Sequence, residues 1–282
     1  ARGERPPAGG LDRRRYSVAV NTRVDPIPST ELNSVVGKVR VIVESLAEHG
    51  RVGLSELSRL SGVTKPSVHR ICRELVDWGV VERAGDGFRL GPHLFELGQR
   101  VPARRRLRDT ALPYMEELFV ETRQAVHLAV ADGAEVVYVE RITGRAADGV
   151  PSAVAARAPM NCTATGKCIL AFASGIALDD LFARPLVAAT AHSLVSPASL
   201  GADLAATREQ GYAVEWEEFR IGYASIAAPV REAGGAVIAA VSITAVMRQL
   251  EVRRFSRLIV EAAHGISRAF GGTHHRSQDD DI

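Results

Sequence analysis

Apolar residues at Val36, Val39, Ile42, Val43 and Leu46 recur at the spacing of one helix face, and Gly50 follows as a stop. The pattern predicts a short amphipathic helix over 34–49. A second helix is expected from Ser55, a residue suited to capping, through Leu57 and Leu60 to Gly62. A third runs from Thr64 to Gly79 with Val68, Ile71, Cys72 and Leu75 inside. Pro66 fits it because the first turn has amides without intrahelical partners. Beyond Gly79, residues 80–83 and 88–90 read as strands around Ala84-Gly85-Asp86-Gly87, a hairpin turn. Residues 34–91 thus predict three helices and a hairpin.

From Pro92 helical spacing returns, with Leu107, Ala111, Met115, Leu118 and Phe119 on one face, which predicts linker helices over 92–123. Val126, Leu128 and Val130 then alternate, Asp132-Gly133 turns the chain, and 136–142 returns as a second strand. A helix is expected after Thr163 and another before Gly211. Strands follow at 212–216, 223–230 and 236–244, and a last helix near 252–270. Helices interspersed with a mainly antiparallel sheet define an α+β domain over 124–272. The Arg-rich start, 1–33, and the polar end, 273–282, offer too little apolar surface to offset ordering entropy and are expected to be disordered tails.

Composition narrows the function. The 282 residues suit two domains, and 46% hydrophobic with 24% charged residues fits a soluble globular chain. Lys and Arg number 35 against 33 Asp and Glu, a net charge of +2, so polyanions cannot be held by bulk charge alone. Nucleic-acid contact would need local patches. Cys72, Cys162 and Cys168 form no C-x-x-C pair and no disulfide framework, which points to a reducing cytoplasm. The longest apolar stretch, 233–247, is short of the roughly 20 residues of a spanning helix, and the first 33 residues lack the apolar segment of a signal peptide. No membrane association is expected.

On the third helix, Val68, Ile71, Cys72 and Leu75 share one side while Pro66, His69, Arg70 and Arg73 fall opposite. One face packs and the other is free to read a surface. A helix entering a major groove needs small or polar residues in its first turn and longer donors beyond, which Thr64, Lys65, Ser67, His69, Arg70 and Arg73 supply. Alone, this is equally an ordinary amphipathic helix with a solvated basic face. The preceding short helix, the turn at Gly62 and the hairpin make it a winged helix-turn-helix. Arg83 and Arg89 flank the wing tip and are candidate DNA contacts; the alternative reading is a hairpin that only closes the core. Arg100, Arg104, Arg105, Arg106 and Arg108 read as the solvated side of the linker helix, or as a contact to the DNA backbone.

Around Cys162-Thr163-Ala164-Thr165-Gly166-Lys167 small residues lead into an apolar helix, whose free amides would attract a carboxylate or phosphate. A P-loop is excluded, because Asn161 and Cys168 stand where it needs Gly and a hydroxyl. Ser242 and Thr244 put two hydroxyls on one side of an apolar strand, and Ser225 sits likewise in another. Such groups bond either a pocket ligand or their own core. Glu215, Glu217 and Glu218 surround Trp216, an arrangement that suggests one acid in a pocket and two in solvent. No H-E-x-x-H or G-x-S-x-G occurs, and His127 and His192 read as isolated structural histidines. Neither a catalytic residue, a metal site nor a cofactor is expected.

These stretches resemble the IclR family of bacterial transcriptional regulators from about Val35 to Phe270. The resemblance lies in residues 54–57 and 63–70, and more specifically in 159–167, 211–218 and Ile226-Ala227-Ala228-Pro229-Val230. It implies an N-terminal winged helix-turn-helix, a linker helix and a C-terminal GAF-like effector-binding domain. It further implies dimers that often pair into tetramers, double-stranded operator DNA as partner, and a small organic acid as effector. The family's effector contacts map onto Ala164, Thr165, Glu215, Tyr223, Ser225, Ser242 and Thr244. Glu215 stands where a shorter Asp is common, Ser225 where Cys is common, and Arg123-Gln124 where Gly-Glu is usual. The expected function is a repressor whose operator binding an organic acid modulates. An activator of the same architecture, a ligand-independent DNA-binding protein and an enzyme built on the small-molecule domain are the alternatives.

Overall fold

The computed structural model describes residues 33–144, 153–172 and 181–276; of the tails expected at 1–33 and 273–282, residues 1–32 and 277–282 lie outside the described chain, while 273–276 belong to the last helix rather than to a disordered tail. Helix α1 (Val35–His49) starts at Ser34, whose Oγ accepts from the Gly37 amide at 2.8 Å, and ends at Gly50 with φ 71°. The next helix does not start at a Ser55 cap. A short strand, β1 (Val52–Gly53), precedes α2 (Leu54–Ser61), because Val52 pairs with Phe88 and the chain passes from ladder to helix at Gly53. Gly62, at φ 66°, makes the turn into α3 (Lys65–Asp77). Strands β2 (Val81–Ala84) and β3 (Gly87–Leu90) form the wing, and β1 joins their outer edge. Gly87 permits that junction, since a Cβ there would stand 2.6 Å from the Val52 carbonyl oxygen. Ile42, Leu46, Leu57, Val68, Ile71, Leu75 and Phe88 fill one core, which draws on nothing beyond Leu94.

Two linker helices follow, α4 (His93–Gln99) and α5 (Pro102–Thr122). Arg123 ends α5 in the left-handed region at φ 57°, where glycine carries no steric cost; its amide donates to the Phe119 carbonyl at 2.8 Å. Strands β4 (Ala125–Asp132), β5 (Glu135–Ile142), β6 (Arg157–Pro159), β7 (Ala213–Trp216), β8 (Tyr223–Arg231) and β9 (Val237–Val246) form one antiparallel sheet in the order β6-β5-β4-β9-β8-β7. On one face lie α5 and the final helix α8 (Val252–Arg276). On the other lie α6 (Ala164–Phe172) and α7 (Pro197–Gln210). Helix α8 continues past 270 through Gly271 and Gly272, with Phe270 buried at this end.

The basic run at 100–108 is not simply a solvated face. Arg106 donates to the Phe270 carbonyl at 2.6 Å and lies over the Phe270 ring, while Arg108 pairs with Glu140 on β5. A β-bulge makes the second contact possible. Leu128 pairs with Glu140 and Ala129 with Tyr138, so Val139 is an extra residue. Strict alternation would put Tyr138 and Glu140 on the same face; the bulge turns Glu140 toward α5 and leaves Tyr138 on the opposite side.

Candidate DNA-reading helix and effector cavity

On α3 the packing residues Val68, Ile71, Cys72 and Leu75 are buried, and Thr64, Lys65, His69, Arg70 and Arg73 are exposed, with Ser67 half-buried among them. Thr64 occupies the cap position, but its hydroxyl donates to Ser67 Oγ at 3.1 Å rather than accepting from an amide. Arg70 approaches Glu74 one turn along at 3.5 Å, an exposed pair that water and salt screen and a phosphate can displace.

The wing separates its two arginines. Arg83 pairs across the hairpin with Phe88 and Arg89 with Glu82, so they project from opposite faces. Arg83 lies over the Phe88 ring and Arg89 is bonded to Glu82. The guanidinium nearest the tip is that of Arg51, 3.4 Å from Asp86. No periodic signal marks Arg51, because β1 brings it there.

In the C-terminal domain, Ala164, Thr165, Glu215, Tyr223, Ser225, Ser242 and Thr244 line one cavity, together with Thr163, His127, Tyr138, Phe219 and Arg220. Its floor is the start of α6. Thr163 caps that helix, donating to the Pro159 carbonyl at 2.9 Å and accepting from the Gly166 amide at 3.2 Å. Gly166 is required by close approach, for a Cβ would lie 2.3 Å from Met160 Cα. Thr165 Oγ1 is buried without a partner of good geometry, its neighbour being the Tyr138 hydroxyl.

The wall formed by β4, β8 and β9 carries a chain of polar groups. Ser225 Oγ and Thr244 Oγ1 share a hydrogen bond of 2.9 Å, and Thr244 approaches His127 Nδ1 at 3.5 Å. His127 is wholly enclosed. Desolvation, aided by the charge of Arg141, depresses its pKa to about 3, so the ring is neutral. Burial likewise pushes the Tyr138 phenol up. Glu215 accepts from the Phe219 amide at 3.0 Å. Desolvation nevertheless outweighs that bond and, with the charge of Glu218, lifts its carboxyl to about 7.

The three acids around Trp216 do not divide as one buried and two in solvent. Glu218 is also buried, since Lys167, fully enclosed, reaches it at 2.7 Å and Asp203 at 3.2 Å. Glu217 stands at φ 54° and accepts from the Gly222 amide, while Trp216 is the residue left exposed. The Lys167 ammonium is thus consumed inside the protein. His127, which reads from sequence as an isolated structural histidine, lines the cavity, as does Tyr138, which the sequence reading omits, although both sit in phase with cavity-facing positions on their strands; Phe219 and Arg220 lie in a loop with no period to betray them. Among the described residues no cluster of His, Cys, Asp or Glu suits a metal ion, and no helix is long and apolar enough to cross a membrane.

A helix-turn-helix on its own core, a linker helix and a domain enclosing a polar cavity define a DNA-binding transcriptional regulator. The chain belongs to the IclR family: residues 36–85 match the IclR helix-turn-helix domain and residues 99–268 the bacterial transcriptional regulator IclR C-terminal domain. It is 32% identical to the HTH-type transcriptional regulator XynR of Escherichia coli over 77% of this chain and 89% of that one. It is 28% identical to the transcriptional repressor IclR of the same organism, over 82% and 88%. The crystal structure of an IclR homolog from Microbacterium hydrocarbonoxydans complexed with 4-hydroxybenzoate superposes with a TM-score of 0.79 at 29% identity, covering 84% of this chain and 99% of that one. The two Escherichia coli relatives are named as transcriptional regulators.

Proposed function

We propose that the protein is a cytoplasmic repressor that holds operator DNA as a homodimer or as paired dimers and releases it when a small organic acid fills the cavity. Residues 34–91 act as the DNA-binding domain, 92–123 as the linker and 124–272 as the effector domain. Thr64, Lys65, Ser67, His69, Arg70 and Arg73 meet the major groove and adjoining phosphates, with Arg83 or Arg89 touching the backbone from the wing. Two copies of α3 must then lie about one helical turn apart, roughly 34 Å, and the effector acts through unequal affinity for arrangements that meet or miss this spacing.

The observation that carries the reading is the convergence of Ala164, Thr165, Glu215, Tyr223, Ser225, Ser242 and Thr244 on one cavity in which the Thr165 hydroxyl has no good partner. A carboxylate at the start of α6 meets the positive end of the helix and the Thr165 hydroxyl. A hydroxyl or ring at the far end meets Ser225, Thr244 and neutral His127. The 4-hydroxybenzoate of the similar Microbacterium protein has this chemistry. The repressor assignment follows the Escherichia coli relative.

The test pairs a thermal-shift screen of small carboxylates with operator release at fixed salt. Ser225→Leu is expected to keep operator binding and lose about 1 to 3 kcal/mol of effector affinity, since the branched chain fills the cavity and removes the hydroxyl that bonds Thr244 at 2.9 Å. A parental response in that variant sinks the cavity assignment. Acid that tightens operator binding sinks release.

A further inference from the structure

The cavity contains an acid where an acidic ligand is to bind, and this inference rests on that effector reading. Glu215 is only 3% exposed and makes no ion pair among the described residues. The nearby cation, Lys167, is held between Glu218 and Asp203. His127 and Tyr138 contribute polar but neutral walls. Cys162, pushed up to about 12 by burial, is a neutral thiol. The cation lining the cavity is Arg220, whose guanidinium lies 5.6 Å from the centre of the Tyr223 ring.

We propose that a monocarboxylate effector enters this cavity together with one proton, taken from the solvent, which ends on the Glu215 carboxyl so that a neutral acid stands beside the bound anion. Two negative charges in one desolvated space cannot both persist, so entry of the ligand drives the less solvated acid to its neutral form. Glu215 is already halfway there near neutral pH, because burial and the Glu218 charge oppose its ionisation more strongly than the Phe219 amide supports it. As a neutral acid it also becomes a donor, which a carboxylate is not. The site therefore selects monoanions and disfavours dianions, for a second charge has no further proton sink.

The probes are acetate, pyruvate, benzoate and 4-hydroxybenzoate, with uncharged 4-hydroxybenzamide as control, titrated into the full chain at pH 6 and pH 8.5. For an acid that binds, affinity should fall roughly 30-fold between these values, and calorimetry in buffers of different ionisation heat should count about one proton taken up at the higher pH and almost none at the lower. The amide should bind without that dependence. Glu215→Gln, an uncharged isostere, should flatten the pH profile and abolish proton uptake; the proton count on the parent needs no variant. Equal affinity at both pH values with no uptake overturns the proposal while leaving the effector reading intact, and assigns the charge to Arg220. Persistence of the parental profile in Glu215→Gln overturns it by placing the titration elsewhere. Failure of all four acids to bind at either pH overturns the monocarboxylate reading and the proton with it.

Discussion

The two faces of the six-stranded sheet are made by the same strands and have opposite characters. Toward α5 and α8, β4 presents Val126, Leu128 and Val130, β8 presents Ala224, Ile226 and Ala228, and β9 presents Val241, Ile243 and Ala245, all buried among apolar side chains. Toward α6 and α7 the intervening positions divide: Ala129, Ala227 and Ala240 join a second apolar core, while His127, Ser225, Ser242 and Thr244 surround the cavity. Alternation along a strand thus gives one set of residues wholly to cohesion and divides the next between a second core and the cavity. The dry face can be tightly packed because it holds no ligand. The other face leaves a cavity and buried polar groups, which cost stability unless each finds a partner.

Substitutions on the dry face should give the largest losses. Phe255, 1% exposed at the start of α8, packs in that core, and Phe255→Ala should cost about 3 to 5 kcal/mol in the urea unfolding of the C-terminal domain. A loss below about 1 kcal/mol would show that the dry face does not carry the cohesion assigned to it. On the wet face, Lys167→Met removes the cation between Glu218 and Asp203 and strands buried carboxylates; a loss of about 3 kcal/mol is expected, growing as pH rises from 5 to 8 because the acids then ionise without their partner. A variant as stable as the parent at pH 8 would make Lys167 a spacer rather than a counter-charge.

Glu215→Gln should act in the opposite sense. A carboxyl held at about 7 instead of 4.5 keeps a proton in the native state that the unfolded chain has already lost. Stability contributed by neutral Glu215 is full below pH 4.5, declines between 4.5 and 7, and levels off above. The Gln variant should lack this decline and exceed the parent by about 2 to 3 kcal/mol at pH 8 when the two are matched at pH 4.5. Thermal melts of both proteins across that range provide the measurement, and parallel profiles would count against the raised carboxyl. The smallest effect on stability is expected in the N-terminal domain. Arg70→Ala, on an exposed face of α3, should leave unfolding unchanged and weaken specific operator binding by about 1 to 3 kcal/mol in gel-shift titration at fixed salt.

Much of this arrangement is legible in local spacing. The face of α3, the alternation in β4, β8 and β9, and the small-residue start of α6 are set by periods of 3.6 and 2.0, which need no knowledge of distant contacts. The cavity residues follow, since a hydroxyl in phase on an apolar strand is an exception visible in one dimension. The family resemblance adds Glu215 and Tyr223, which periodicity alone would leave among several acids and aromatics.

Other features depend on which segments meet. Glu217 and Glu218 are adjacent and chemically alike, yet Glu218 is buried because Lys167, fifty-one residues earlier, needs a counter-charge inside the domain. Arg108 binds Glu140 because an extra residue in β5 reverses the strand's alternation, and the bulge has no sequence signal. Arg83 and Arg89 flank the same turn but diverge because hairpin register places them on opposite faces. The sequence by itself determined the elements, their buried faces and most of the cavity's chemistry, since these arise from backbone geometry and solvent within a few residues. Tertiary structure alone decided which charges are paired, that Glu218 is buried with Lys167, and which arginines are bonded within the fold, because Coulomb interaction and desolvation depend on distances across the fold.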